Sequence, residues 1–223
     1  MIKLINVFKK YDDLEILRDF NISLEKNKIT CLFGPSGVGK TTIANIIAGL
    51  IPIDKGEVTG TEHVLFSYVF QEPRLLEWYS VYDNIDFVLK DIYDNEKRKK
   101  IIDSYIEMVE LKDYKHYKPG ALSGGMSQRV SVARAFAYPS NILIMDEPFK
   151  GLDNKLKKEM VALFQRLWSE SKRTVLFITH DIDEAVTLSN IIHIIKNKPA
   201  SVVKSIDVEL THNRDDIKNI LLS

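Results

Sequence analysis

Residues Gly34-Pro35-Ser36-Gly37-Val38-Gly39-Lys40-Thr41 constrain this chain more than any other stretch. They fit the pattern G-x-x-x-x-G-K-[ST], with the compact apolar run Ile29–Phe33 before it and a helical pattern after it. Strand, tight loop and helix must follow one another here. Glycines let the loop curl so that successive backbone N–H groups point inward, at a helix N-terminus already favourable to anions. Lys40 supplies a point charge for β- and γ-phosphates, Thr41 a hydroxyl for Mg²⁺, and Thr42 can reach an α-phosphate. A chance glycine turn would lack the flanking strand and helix, so the loop reads as a nucleoside triphosphate site.

The rest of the chain supplies the context such a loop needs. Residues 2–7 and 20–24 read as early strands, and Val64 to Phe70 as another. From Gly39, the positions Ile43, Ile46, Ile47 and Leu50 share one helical face. Residues from about 80 to 137 carry helical patterns and no convincing strand. Ser80 caps a helix expected to run through Ile85 and Leu89, and Ile101, Ile102, Tyr105, Ile106 and Val109 mark a second, with Lys97–Lys100 on its solvated side. After that come residues 142–145 and 175–178, short runs of the kind buried on both faces of a parallel sheet. The layout is an α/β core interrupted by a helical insert of roughly 55–60 residues, a size compatible with a subdomain.

The strand at residues 142–145 ends in Asp146-Glu147. A phosphate loop needs a second strand ending in a carboxylate to hold the metal. Two adjacent carboxylates can divide the work, with Asp146 orienting Mg²⁺ and Glu147 polarising the water that attacks the γ-phosphorus. The strand at 175–178 runs into Thr179-His180-Asp181 on the same C-terminal sheet edge, where doubly wound folds bind ligands. There His180 can bond the γ-phosphate or the attacking water. His63, His116, His193 and His212 show no ligand spacing and read as surface or satisfied polar residues. Cys31, the single cysteine, sits in an apolar run and reads as a packed core thiol.

A second anion pocket is offered by Leu122-Ser123-Gly124-Gly125-Met126, ahead of a helix with free N–H groups and a hydroxyl. One phosphate loop cannot fill both pockets. Ser123 would also make a plain helix cap.

Taken together, Gly34–Thr41, Gln71, Leu122–Met126, Asp146–Glu147, Gly151-Leu152-Asp153 and His180 resemble the ordered motif set of the ATP-binding cassette of ABC transporters. The resemblance spans essentially the whole chain. It implies an α/β fold, a P-loop NTPase core with a mostly parallel sheet, an antiparallel β portion and a helical insert subdomain. One domain over 1–223 would comprise a core (1–71 and 138–223) and a helical subdomain (about 72–137). In that family two cassettes face head to tail, and the signature of one closes over the ATP of the other. Ser123, Gly124, Gly125 and Met126 would therefore contact ATP in trans. Within the chain, Gly34, Pro35, Ser36, Gly37, Val38, Gly39, Lys40, Thr41 and Thr42 would bind ATP, with Tyr11 stacking on adenine and Ile16 beside the base. The resemblance makes Gln71 a sensor of Mg²⁺ and attacking water, alongside Thr41 and Asp146 as metal ligands. Glu147, His180, Gln71 and Lys40 are the catalytic set. Glu72-Pro73-Arg74-Leu75-Leu76-Glu77-Trp78 resembles the groove that receives a coupling helix of a membrane subunit.

Some positions depart from the common pattern. Met126 stands where many cassettes have glutamine, and is similar to importers of nitrate, of sulfonates or taurine, and of thiamine precursors. Lys150 occupies a position where a small residue is common, and a charge there is expected to alter contacts across the dimer. The stretch from Lys40 to Gln71 is short, implying a trimmed antiparallel loop, and no appended regulatory domain is expected before Ser223. The reading is an ATPase that uses ATP and Mg²⁺ and dimerises in the ATP-bound state. It would sit peripherally at the cytoplasmic face of the cell membrane on integral permease subunits, served by an extracytoplasmic solute-binding protein. An exporter ATPase and a soluble non-transport cassette are the alternatives. Equal numbers of basic and acidic residues, 31 each, argue against a nucleic-acid partner.

Overall fold

The computed structural model describes residues 1–211 and 213–222, so His212 and Ser223 lie outside the described residues. The chain opens with a hairpin, β1 (Ile2–Tyr11) against β2 (Leu14–Leu24), and continues into β3 (Ile29–Phe33), buried along its whole length. Helix α1 (Lys40–Ile47) leaves the loop after β3, β4 (Lys55–Thr59) returns to pair antiparallel with β1, and β5 (Phe66–Val69) begins a second sheet. Three helices follow: α2 (Val81–Asp86), α3 (Asn95–Met108) and α4 (Gly124–Ala137). The chain then alternates through β6 (Ile142–Asp146), α5 (Asn154–Ser171), β7 (Thr174–Thr179), α6 (Ile182–Leu188), β8 (Ile191–Lys196), β9 (Ser201–Asp207) and α7 (Arg214–Leu222).

The two sheets have different characters. The first is antiparallel, in the order β2-β1-β4. The second runs β5-β6-β7-β3-β8-β9, parallel except for the antiparallel edge strand β9. Successive side chains of a strand face opposite sides, and the central strands feed two cores accordingly. Leu32, Ile144 and Leu176 join α1 and the antiparallel sheet, while Cys31, Met145 and Phe177 pack on the other face with α4 and α5. Both faces are covered, which is why these strands are continuous apolar runs.

Several local expectations shift. Strands β1 and β2 extend well beyond residues 7 and 20, because bulges interrupt their alternation. The register slips between Leu4 and Val7, where Asn6 adopts φ 50° and its N–H donates to Asn21 Oδ1 at 2.9 Å. Leu50 does not share the α1 face. Gly49, at φ 71°, reverses the chain, and the N–H groups of Gly49 and Leu50 return to the carbonyls of Ile46 and Asn45. That closure ends the helix and leaves Leu50 62% exposed. Helix α2 stops at Asp86, and Leu89 is buried in the turns that follow. Its start is as expected: Ser80 Oγ accepts from the Asp83 N–H at 3.1 Å, and Asp83 accepts from the Ser80 N–H in return.

Candidate functional site

Parallel register brings the functional segments to one edge. Phe33 pairs with Thr179, and Asp146 with Ile178, so the loops leaving β3, β6 and β7 emerge side by side. Between them lies a cleft of about 290 Å³, lined by Ile16, Ser36, Gly37, Gly39, Lys40, Thr41, Thr42, Gln71, Glu147 and Lys150. Gly34 begins the loop where no side chain fits, since a Cβ there would meet the Ile195 carbonyl oxygen of β8 at 2.2 Å. Val38 is buried beneath the loop while Pro35, Ser36 and Gly37 are exposed.

Lys40 is 4% exposed, and its Nζ donates to the carbonyls of Gly34 at 2.7 Å and Pro35 at 2.8 Å. Burial lowers its pKa, against the opposing pull of Glu147 and Asp146. An ammonium held by weak neutral acceptors in a desolvated loop is poised for a polyanion. Thr41 lies in the first turn of α1 and its hydroxyl donates to Asp146 Oδ2 at 2.8 Å. Burial raises the Asp146 carboxyl, and the Thr41 bond only partly offsets it. Hard oxygen donors at this separation suit Mg²⁺, which takes one or two protein oxygens and completes its shell with water and phosphate. Among the described residues no cluster of three or more His, Cys, Asp or Glu could serve as a metal cage, so phosphate oxygens would have to complete the set.

Glu147 follows β6 at φ 45°, its N–H bonded to the Ile178 carbonyl at 3.0 Å. A left-handed backbone costs a non-glycine residue about 1 kcal/mol, and here it turns the side chain toward the cleft. Oε1 lies 3.3 Å from His180 Nδ1, and Oε2 lies 2.7 Å from Lys150 Nζ in an ion pair without hydrogen-bond alignment. Burial pushes the carboxyl up, but Lys150 and His180 outweigh it and hold the group below the usual glutamate range. This arrangement can hold a triphosphate and offer a carboxylate to a water beside it.

The remaining residues divide. Gln71 lines the cleft, as does Ile16, whereas Tyr11 stands 43% exposed at the end of β1 and outside the lining. Ser123, Gly124, Gly125 and Met126 contribute nothing to the cleft. Ser123 Oγ accepts from the Met126 N–H at 3.2 Å, capping α4. A Cβ on Gly125 would meet Leu156 of α5 at 2.5 Å, while one on Gly124 would meet nothing within 4 Å. Packing inside the chain therefore accounts for the second glycine and not for the first.

Three connectors lie outside the sequence motifs, Gln128 and Asn84 buried and Arg134 half-buried. Gln128 of α4 donates to the Pro148 carbonyl at 2.6 Å, just past Glu147. Arg134, on the same helix, holds the carbonyls of Pro73 and Arg74 at 3.1 and 3.0 Å. Asn84 bonds Leu76, Tyr79 and Ser80, fixing the segment that carries Trp78, itself 67% exposed. A glutamine within the apolar face of α4 was the one available signal. His63 and His116 take no part in the cleft, and His193 is occupied with Ser205 at 2.7 Å.

The family described as ABC transporter matches residues 17–150. The aliphatic sulfonates import ATP-binding protein SsuB of a Bacillus cereus strain is 39% identical over 215 residues, covering 92% of this chain and 84% of that protein. Among solved structures, the dimeric post-hydrolysis state of the ATP-binding cassette MJ0796 bound to ADP and Pi is similar at a TM-score of 0.81. Its identity is 30%, over 93% of this chain and 99% of that one. CbiO1 from Clostridium perfringens, part of the transporter complex cbiONQ, has a TM-score of 0.85 over 99% of this chain and 94% of its own; at 22% identity it speaks for the fold alone.

Proposed function

Because the chain belongs to the ABC transporter family as an ATPase, we propose that it powers an importer of an aliphatic sulfonate. The observation that carries the ATPase chemistry is the convergence of Lys40, Thr41, Gln71, Glu147 and His180 beside Asp146 on one sheet edge. The sulfonate class is supported by the aliphatic sulfonate import role that names the Bacillus cereus relative, and Met126 in the signature is compatible with it.

In this reading the triphosphate lies along Gly34–Thr42, with its base beside Ile16 and Tyr11. Lys40 leaves its own loop carbonyls for the β- and γ-phosphates, gaining charge-assisted bonds in place of neutral ones. Mg²⁺ bound at Thr41, Gln71 and Asp146 would neutralise phosphate charge. Glu147 accepts a proton from the water whose oxygen attacks the γ-phosphorus. The bond from that phosphorus to the bridging oxygen breaks, and its electron pair leaves with ADP. His180 and Gln71 orient the water and the γ-phosphate.

Two cassettes would pair head to tail, each closing Ser123–Met126 over the other's triphosphate. The unobstructed Gly124 supports this, because nothing within its own chain requires a glycine there. No helix among the described residues is long and apolar enough to cross a membrane. The chain would dock peripherally at the cytoplasmic face through residues 72–78 on integral permease subunits, with an extracytoplasmic protein delivering solute. The helical subdomain (about 72–137) would move against the core (1–71 and 138–223), with Gln71 at their junction.

Lys40→Ala should abolish MgATP binding by calorimetry; unchanged affinity would remove the nucleotide assignment. Deleting the chain from its host should stop growth on an aliphatic sulfonate as sole sulfur source while sparing growth on sulfate. Growth on both would remove the sulfonate assignment.

A further inference from the structure

The ion pair between Lys150 and Glu147 has no part in the mechanism above, and it occupies the group that mechanism needs. Lys150 sits on a rigid turn. Its N–H returns to the Glu147 carbonyl at 3.2 Å, Phe149 before it is fully buried against Phe177, and Gly151 after it takes φ 79°. Its side chain is 41% exposed. Its ammonium lies 2.7 Å from Glu147 Oε2, and the residue lines the cleft with Ser36, Gly37, Lys40 and Thr41. Lys40 cannot substitute for it at Glu147, since its own ammonium is committed to the loop carbonyls.

We propose that Lys150 is a nucleotide-sensing positioning residue, whose ammonium holds the Glu147 carboxylate until the terminal phosphate of a nucleoside triphosphate draws it away. The inference rests on the cleft being the ATP site. A lysine ammonium is a compact charge with three rotatable donors on a flexible stem, suited to exchanging one anion for another. While Oε2 faces that cation and Oε1 faces His180, both neighbours compete with water for the carboxylate and weaken it as a proton acceptor. A γ-phosphate is the stronger competitor, because it brings more negative charge than one carboxylate. A diphosphate ends nearer Lys40 and leaves the pair intact. Glu147 is thus released when a hydrolysable nucleotide is in the cleft, and held otherwise.

The test is calorimetric, with ATP and ADP titrated at protein concentrations where sedimentation shows monomers. Lys150→Gln should weaken ATP about tenfold, about 1.4 kcal/mol, and leave ADP within about twofold. Lys150→Arg should restore the preference for ATP. Glu147→Gln should tighten ATP severalfold in the presence of Lys150 and have no such effect in the Lys150→Gln background, since only then is a tethered cation set free. Equal losses for ATP and ADP would reduce Lys150 to a general charge and overturn the proposal, as would unchanged binding of both. The Lys40→Ala control separates the two readings. If that variant still binds ATP, the site assignment itself fails; if it does not, a null result with Lys150→Gln refutes the sensing role alone.

Discussion

Gly124 and Gly125 are neighbours in sequence, yet alanine should act on them in opposite directions. At Gly124 the backbone lies outside the left-handed region and a Cβ meets nothing within 4 Å. It is the first residue of α4, behind the Ser123 cap, so Gly124→Ala should stabilise the fold through helix propensity and a less flexible unfolded chain, by about 0.5 kcal/mol. At Gly125 the same methyl would meet Leu156 Cδ2 at 2.5 Å and Cδ1 at 3.0 Å. The leucine tip can shift, so the overpacking cost should be about 1 kcal/mol, the low end for a crowded core. For a chain of this size, 1 kcal/mol moves the midpoint by about 2–4 °C. Because the same gain of about 0.5 kcal/mol offsets half of the overpacking at Gly125, nucleotide-free melting should rise by about 1–2 °C for Gly124→Ala and fall by about 1–2 °C for Gly125→Ala.

Activity should not follow stability. If the signature closes over a neighbouring chain's phosphates, Gly124→Ala obstructs that approach, and the more stable protein should lose most of its ATP turnover while still binding ATP. Steady-state phosphate release, measured where dimers form, reads this directly. Mixing Gly124→Ala chains with Lys40→Ala chains should then restore some turnover. The mixed dimer has one site with an intact phosphate loop facing an intact signature, and the other site carries both lesions. Normal turnover by Gly124→Ala, or no rescue on mixing, would refute the head-to-tail assignment and leave Ser123 a helix cap.

Glu147→Gln keeps shape but removes the proton acceptor. Hydrolysis should drop by about two or more orders of magnitude while ATP still binds at least as tightly as to the wild type, and near-normal turnover would overturn the assignment. Cys31 is fully buried and its thiol is pushed up to about 12 by desolvation, so a thiol reagent should label it only on unfolding; rapid labelling of the native protein would contradict that packing. Glu184 is buried, and desolvation raises its carboxyl above the ordinary value in spite of the bond from Thr179. The fold thus favours its protonated form, a contribution complete below the unfolded value of about 4.3 and lost as pH rises through the raised folded value. Stability of the wild type relative to Glu184→Gln, from urea midpoints, should fall as pH rises above about 4.3, and a difference that grows with pH would contradict the sign.

How far the chain could be read depended on how local each signal is. The phosphate loop, the short parallel strands and the Ser80 cap are specified by neighbouring residues, and the structure has them where the pattern put them. Strand β4, Lys-Gly-Glu-Val-Thr, carries no apolar alternation and was not anticipated; it exists because β1 offers it a partner. Lys9 was equally illegible, since its burial depends on Asp54 at 3.0 Å, 45 residues away. Helix α7 is held by Ile217 and Leu221 against the core, a surface invisible to its own nine residues.

The same division runs through the site. Residue order alone determined that a glycine loop with Lys40 and Thr41 precedes a helix, and that strands end in Asp146-Glu147 and His180. Backbone N–H groups, one ammonium and a hydroxyl make an anion cradle wherever that local sequence folds. Tertiary structure decided what those groups do to one another. Thr41 and Asp146 are 105 residues apart and meet at 2.8 Å, because β7 inserts between β6 and β3 in register. The contact of Lys150 with Glu147 depends on a left-handed turn and a buried phenylalanine between them. Electrostatic strength depends on separation and burial, and neither is a property of residue order: a carboxylate and an ammonium three positions apart interact strongly only when the fold removes the water around them.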